Sequence, residues 1–451
     1  MTASPPTSVA PTPPAEVAPE PALGGRYRYL DVLRGVAMLG ILLVNIAIFA
    51  EPLLTQEAPL AFDFAPTHDM LAAHGVLFFA QYKFITLFSL LFGVGMGVLR
   101  ERAEASGRSY TRWMLRRLAV LLGIGVLHAW FVWYGDILTY YALLGAILFW
   151  ASSLRPKTLT VLGSVLLALP LLELLPFMVL ALVIPDIDFE GPPLTDEESL
   201  EVARIAVTGT WSEFFEALVE VPPAFETAVY REGGFLRATI VRSYSWLLGL
   251  LFFGSYFMPR IAGLFLLGMA ATKARWFLSP EHNRGAFRRM LWIGLGVGLP
   301  LQAAGNLLVG DWAHAVLPLA GELCSYLGSL GIAAGYAGVV GCLCAGSEER
   351  PGPPRWMSPI EAVGRTALSN YLLQSTLCTL FFYAQPGLGF FGEVGRAGQL
   401  VVVLAVWAVG LTLSPLWLRV FPIGPVEWLW RRLTYSGARP ALESAPSEAP
   451  R

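Results

Sequence analysis

Apolar residues run along this chain in blocks of membrane-spanning length, about 20 residues each. Blocks fall at 31–50, 76–99, 114–133, 137–153, 158–184, 260–274, 289–308, 315–345, 360–384 and 398–418. A further apolar stretch, 236–257, precedes the sixth. Only helices and closed barrels satisfy their backbone in lipid, and blocks this long predict helices. The expected fold is therefore all-α: a polytopic transmembrane bundle of about ten crossings plus one interfacial or re-entrant segment.

Basic residues orient the bundle, because cytoplasmic loops are enriched in Lys and Arg. Arg100, Arg102, Arg108, Arg112, Arg116 and Arg117 follow the second block, and Arg155 and Lys157 follow the fourth. Lys273, Arg275, Arg284, Arg288 and Arg289 follow the sixth, and Arg431 and Arg432 follow the last. The acidic segments 51–73 and 185–235 are expected outside. That scheme needs an odd number of crossings within 236–274. So 236–257 is expected to lie at the outer interface, to re-enter, or to form one bent crossing with 260–274, broken near Gly254 and Pro259. Both termini then face the cytoplasm. Trp211, Phe214, Phe215 and Leu218 have the spacing of an amphipathic helix on the outer membrane face.

Composition agrees. Hydrophobic residues make up 55% of the chain and charged residues 14%, against about 25% charged in ordinary globular domains. The net charge of −2 points to no nucleic-acid partner. Residues 1–25, rich in Pro and Ala, and 437–451 read as disordered tails around a membrane domain at 26–436. The four cysteines, Cys324, Cys342, Cys344 and Cys378, lie in apolar runs and read as small buried side chains. No metal site is expected, and P-loop, HExxH and GxSxG motifs are absent. The glycines of 93–97 read as helix-packing positions.

Polar groups inside the bilayer are costly unless paired or facing a cavity, so they point to a site. Asn45 lies in the outer half of the first block. Lys83, in the second, is expected to snorkel outward, to pair with a carboxylate or to bind an anionic group. His128 and Asp136 are eight residues apart. On one continuous helix they share a face about 12 Å apart, too far to touch but able to line one cavity. Tyr141 begins the next block. Arg365, Asn370, Tyr371 and Gln374 punctuate the tenth, with Asn370 and Gln374 on one face.

Five motifs resemble the YeiB-like bacterial membrane proteins, a family of unknown function. They are LDVLRGVAMLGILLVNI (30–46), KFITLFSLLFGVG (83–95), HAWFVWYGDIL (128–138), GRTALSNYLLQSTLCTLFFY (364–383) and GPVEWLWRRLT (424–434). The first is also distantly similar to the opening helix of transmembrane acyltransferases. These include the bacterial enzymes that O-acylate surface sugars and heparan glucosaminide acetyltransferase. In the first group that helix ends in a histidine, where this chain has Asn45. The second also has asparagine there, with its histidine further along the outer loop, but His68 and His74 do not match that spacing.

The resemblance implies acyl transfer at a bacterial inner membrane. An acyl-CoA donor would dock near Arg34, Arg116 and Arg117. A glycan or lipid acceptor would enter near Asn45, Lys83, His128 and Asp136. Tyr141, Arg365, Asn370, Tyr371 and Gln374 would line the substrate path. Ten helices with embedded Lys83, His128 and Arg365 also fit a proton-coupled transporter or channel, and a mutually satisfied polar interior would fit a structural scaffold. Self-association is left open.

Overall fold

The computed structural model describes residues 27–52, 66–183, 195–220, 222–309, 317–346 and 352–435. The expected tails and part of the outer segment lie outside them. Within the described residues every regular element is helical. Six stretches are long and apolar enough to cross a membrane: Arg28–Ala50, Thr67–Ala105, Tyr110–Phe131, Arg284–Leu308, Ala320–Ala345 and Arg396–Val420. Shorter apolar helices at Leu138–Ser153 and Pro156–Leu172 stand beside them. The protein is a polytopic helical membrane bundle.

The first expected block is α1 (Arg28–Ala50). The second is not one rod. It breaks into α2 (Thr67–Phe79) and α3 (Lys83–Ala105), with Tyr82 in the left-handed region at φ 64°. The break leaves carbonyls at the end of α2 without helical partners, and Lys83 Nζ donates to one of them, Leu77 O, at 2.9 Å. α4 (Tyr110–Phe131), α5 (Leu138–Leu148) and α6 (Pro156–Val183) follow.

The outer segment is helical where it is described: α7 (Asp196–Thr208), α8 (Trp211–Glu220) and α9 (Pro223–Glu232). Thr195 and Glu198 start α7 with a reciprocal capping box. In α8, Phe214 and Leu218 are buried in the protein, while Trp211 and Phe215 are exposed.

The ambiguous stretch 236–274 takes the bent path. α10 (Phe235–Leu248) continues through a π-turn at Gly249–Phe253 into α11 (Gly254–Ala274). The helix is not broken at Pro259, which lies inside α11. The irregularity comes earlier, as the π-turn. The remaining helices are α12 (Arg284–Val309), α13 (Leu317–Ala345), α14 (Ser358–Arg365), α15 (Ala367–Phe382), α16 (Arg396–Val420) and α17 (Pro425–Tyr435). The expected tenth block is thus two helices, parted at Thr366.

Glycines set the closest helix approaches. A Cβ at Gly93 on α3 would overlap the Phe265 backbone on α11, and one at Gly268 would overlap Leu90 on α3. Gly35 and Gly364 bring α1 and α14 together in the same way.

The basic segments gather at one end. Lys273 Nζ donates to Leu154 O at 2.7 Å, Arg100 to Ser152 Oγ at 3.2 Å, and Arg28 to Glu361 at 2.8 Å. Arg275 lies 3.5 Å from Glu101, and Trp430 donates to Arg117 O. The opposite end joins Glu51 to Arg396 at 2.6 Å and Arg231 to Glu393, with Arg237 on the Ile205 carbonyl. Burial pushes the Glu51 carboxyl above its ordinary range, while Arg396 and a hydrogen bond from Gln399 pull it back. So 236–274 begins at the acidic end and finishes at the basic one, as the charge pattern requires.

Candidate functional site

His128 and Asp136 are in direct contact, which corrects the 12 Å expectation. α4 stops at Phe131, and the chain turns back before α5 begins at Leu138. Val132 N and Trp133 N both donate to the His128 carbonyl, closing the helix end. Trp133 stacks on Phe49 of α1 with ring centroids 3.9 Å apart. The turn delivers Asp136 Oδ1 to 3.0 Å from His128 Nδ1. Asp136 Oδ2 accepts the Thr139 backbone N–H at 2.7 Å, so the same carboxylate caps the first turn of α5.

The pair is sealed in this structure: the side chains are 1% and 0% exposed. His128 Nε2 is buried with no hydrogen-bond partner among the described residues. The Tyr371 ring lies 5.0 Å from the imidazole and Trp133 lies 6.3 Å away, edge-on. Tyr371 Oη accepts from Ile137 N at 3.3 Å. Gln374, one turn along α15, has a buried Nε2 without a partner among the described residues. An aspartate on Nδ1 fixes the tautomer and leaves Nε2 as the proton acceptor.

The other expected site residues scatter. Lys83 does not snorkel: it is 1% exposed, and its Nζ donates to Gln302 Oε1 at 2.7 Å as well as to Leu77 O. It shares no hydrogen-bond partner with the dyad. Tyr141 pairs with Ser89 at 2.7 Å inside an aromatic cluster. Asn370 donates to Thr366 and to Ser414 Oγ at 2.8 Å, tying α15 to α16. Asn45 is half-buried and makes no hydrogen bond with described residues. It shares a face of α1 with Leu42 and Phe49, which pack in the same core cluster as Trp133.

At the basic end Arg34 is held by Asp31 at 3.1 Å, Arg117 stacks over Trp430 at 3.7 Å, Arg116 is exposed, and Arg365 donates to Pro422 O. His74 is exposed and bonds its own helix, and His68 is 71% exposed beside Asp69.

Sequence reading missed Arg242, Arg260 and Glu226, all buried. Arg260 donates to Thr86 Oγ1 at 3.0 Å and Ser329 Oγ at 2.8 Å, and lies over the Tyr326 ring. Arg242 donates to Trp130 O and Thr239 Oγ1. For Arg260 the signal was present: an arginine inside an apolar stretch, LFFGSYFMPRIAGLFLL, is an intramembrane polar group by the same rule that singled out Lys83.

Residues 271–437 match the family described as "Protein of unknown function (DUF418)". The chain is 35% identical over 420 residues to the uncharacterized protein YxaH of Bacillus subtilis (strain 168), covering 92% of this chain and 96% of that protein. It is 32% identical over 416 residues to the uncharacterized protein YeiB of Escherichia coli (strain K12), covering 92% and 97%. A helical membrane bundle that matches these proteins almost end to end belongs to the DUF418, YeiB-like family.

Proposed function

We propose that this protein is an acyltransferase of the bacterial inner membrane, moving an acyl group from a cytoplasmic acyl-CoA to an envelope glycan or lipid. The observation that carries the reading is the His128–Asp136 pair, with a carboxylate on Nδ1 and an unengaged Nε2. Such an imidazole is built to take a proton from a nucleophile. The first-helix resemblance supplies the reaction class. The acceptor hydroxyl or amine gives its proton to His128 Nε2 as its oxygen or nitrogen attacks the thioester carbonyl. The new bond forms, the C–S bond breaks, and the departing thiolate takes up the proton. Asn45, on the neighbouring face of α1, stabilises the oxyanion. Lys83, engaged by Gln302, keeps α2 and α3 together and has no part in the step. Because the dyad is sealed, substrates gain access by movement of the helices around it.

The test is release of free CoA thiol from short-chain acyl-CoA by the purified protein in nanodiscs, with envelope extract as acceptor. His128→Gln is expected to lower the rate at least about a hundredfold. Equal rates in wild type and variant, or no CoA release at all, sinks the proposal. The sealing also favours a second reading, proton-coupled transport, in which the dyad carries the proton. Proteoliposomes driven by a pH gradient distinguish the two: solute uptake without CoA release selects transport.

A further inference from the structure

Helix α10 carries two arginines, half-buried Arg237 and buried Arg242. Their spacing is one full helical turn plus about 140°, so they point to different sides. Each reaches the carbonyl end of another helix. Arg237 Nη1 donates to Ile205 O at 2.9 Å and Ala206 O at 2.8 Å, and its Nη2 to Gly209 O, closing the end of α7. Arg242 Nε donates to Trp130 O at 3.2 Å, in the last turn of α4. The last carbonyls of a helix lack helical partners and carry partial negative charge, and a guanidinium answers both. Arg242 is 0% exposed, and its Nη2 donates to Thr239 Oγ1 at 2.9 Å, which orients the group. His128 stands in that same last turn of α4. So α10 joins an outer helix, α7, to the end of the helix that carries the dyad.

We propose that Arg242 is a positioning residue for His128, and that α10 is the helix whose displacement opens the sealed dyad. This rests on His128 as the proton-accepting group, which the acyl-transfer and transport readings share. Three contacts hold the end of α4 and the turn that follows it. Trp133 stacks on Phe49 of α1, Thr379 Oγ1 of α15 donates to Val132 O at 3.1 Å, and Arg242 holds Trp130 O. The first two come from the bundle. The third leads through α10 to the outer helices, which is where an acceptor or solute outside the membrane would make its first contact. Displacing α10 withdraws the guanidinium, releases the end of α4 and uncovers His128 Nε2. Arg242 acts through the backbone of Trp130 and touches no reacting atom.

The experiment uses the full chain in nanodiscs and reads the reactivity of His128 itself, without turnover. Diethylpyrocarbonate modifies accessible imidazole nitrogens, and peptide mass spectrometry separates His128 from the exposed His68 and His74. Wild type is expected to protect His128 strongly relative to His68. Arg242→Met is expected to raise its reactivity at least about tenfold, the effect of a lost charged hydrogen bond on a local opening. Arg242→Lys, which keeps a cation at the α4 end, should restore most of the protection. Arg237→Met should raise it roughly threefold, and no rise there refutes α10 as the moving helix. Alkylation of Cys344, buried at the basic end, is followed in parallel and should not change. Unchanged His128 reactivity in Arg242→Met overturns the proposal, and so does an equal rise at Cys344, which would mean general loosening. If Arg242→Met does not fold, Thr239→Val, which removes the contact orienting the guanidinium, is read in the same way. CoA release that fails while His128 protection follows Arg242 would remove only the acyl-transfer reading.

Discussion

The dyad and the basic-end cavity handle charge in opposite ways. At His128–Asp136 the two polar side chains face one another, and a backbone N–H occupies the second carboxylate oxygen. At the basic-end cavity lined by Arg28, Glu361, Arg365 and Arg419, Arg28 is paired with Glu361, Arg365 donates to Pro422 O, and Arg419 is exposed. The difference follows from depth. A charge in the sealed interior must find its partner within the protein, because neither water nor lipid can supply one. A charge at the bilayer boundary can leave that partner to water, headgroup or ligand. Interior polar groups here are therefore held by the protein itself, whereas an exposed boundary group such as Arg419 is left to water or headgroup.

Asp136→Ala should give the largest effect, stranding both His128 Nδ1 and the Thr139 N–H. A loss of about 3–5 kcal/mol is expected, measured as thermal unfolding in detergent. A loss below about 1 kcal/mol would show that the pair does not hold the α4–α5 turn. Gly125→Ala comes next. Its Cβ would meet Thr139 N at 2.8 Å and Asp136 Oδ2 at 2.9 Å, pushing α4 from α5 at a cost of about 1–3 kcal/mol. Wild-type unfolding in that variant would mean the two helices separate freely.

Glu427→Gln tests an intermediate case at the basic end. Its carboxylate accepts from Leu368 N at 2.7 Å, Ser369 N at 3.1 Å and Ser369 Oγ, holding the start of α15. A cost of about 1–2 kcal/mol is expected, and a neutral result would contradict the geometry. Arg419→Gln should give the smallest change, within about 0.5 kcal/mol. If it destabilised as strongly as Asp136→Ala, the contrast between interior and boundary would collapse.

Much of the fold was legible because lipid leaves the chain few options. Block length and arginine placement were enough to require that 236–274 start and finish at opposite ends. The breaks at Tyr82 and Thr366 were not legible. Polar residues flank each break, Gln81 and Lys83 at the first and Arg365 at the second, but each break depends on partners distant in sequence: Gln302 and Ser414 hold the side chains beside them. The candidate site was legible as a set of residue types but not as a set of contacts. His128, Asp136 and Tyr371 came together, whereas Lys83, Tyr141, Asn370 and Arg34 found separate local partners.

The sequence by itself determined that this chain is a helical membrane bundle, which end carries the positive charge, and which polar side chains had to be accounted for inside it. Those follow from transfer free energies, which act residue by residue. Only the tertiary structure decided which polar groups meet. A hydrogen bond needs atoms within about 3 Å, and the turn at 132–137 brings Asp136 to His128, which a continuous helix would have kept apart.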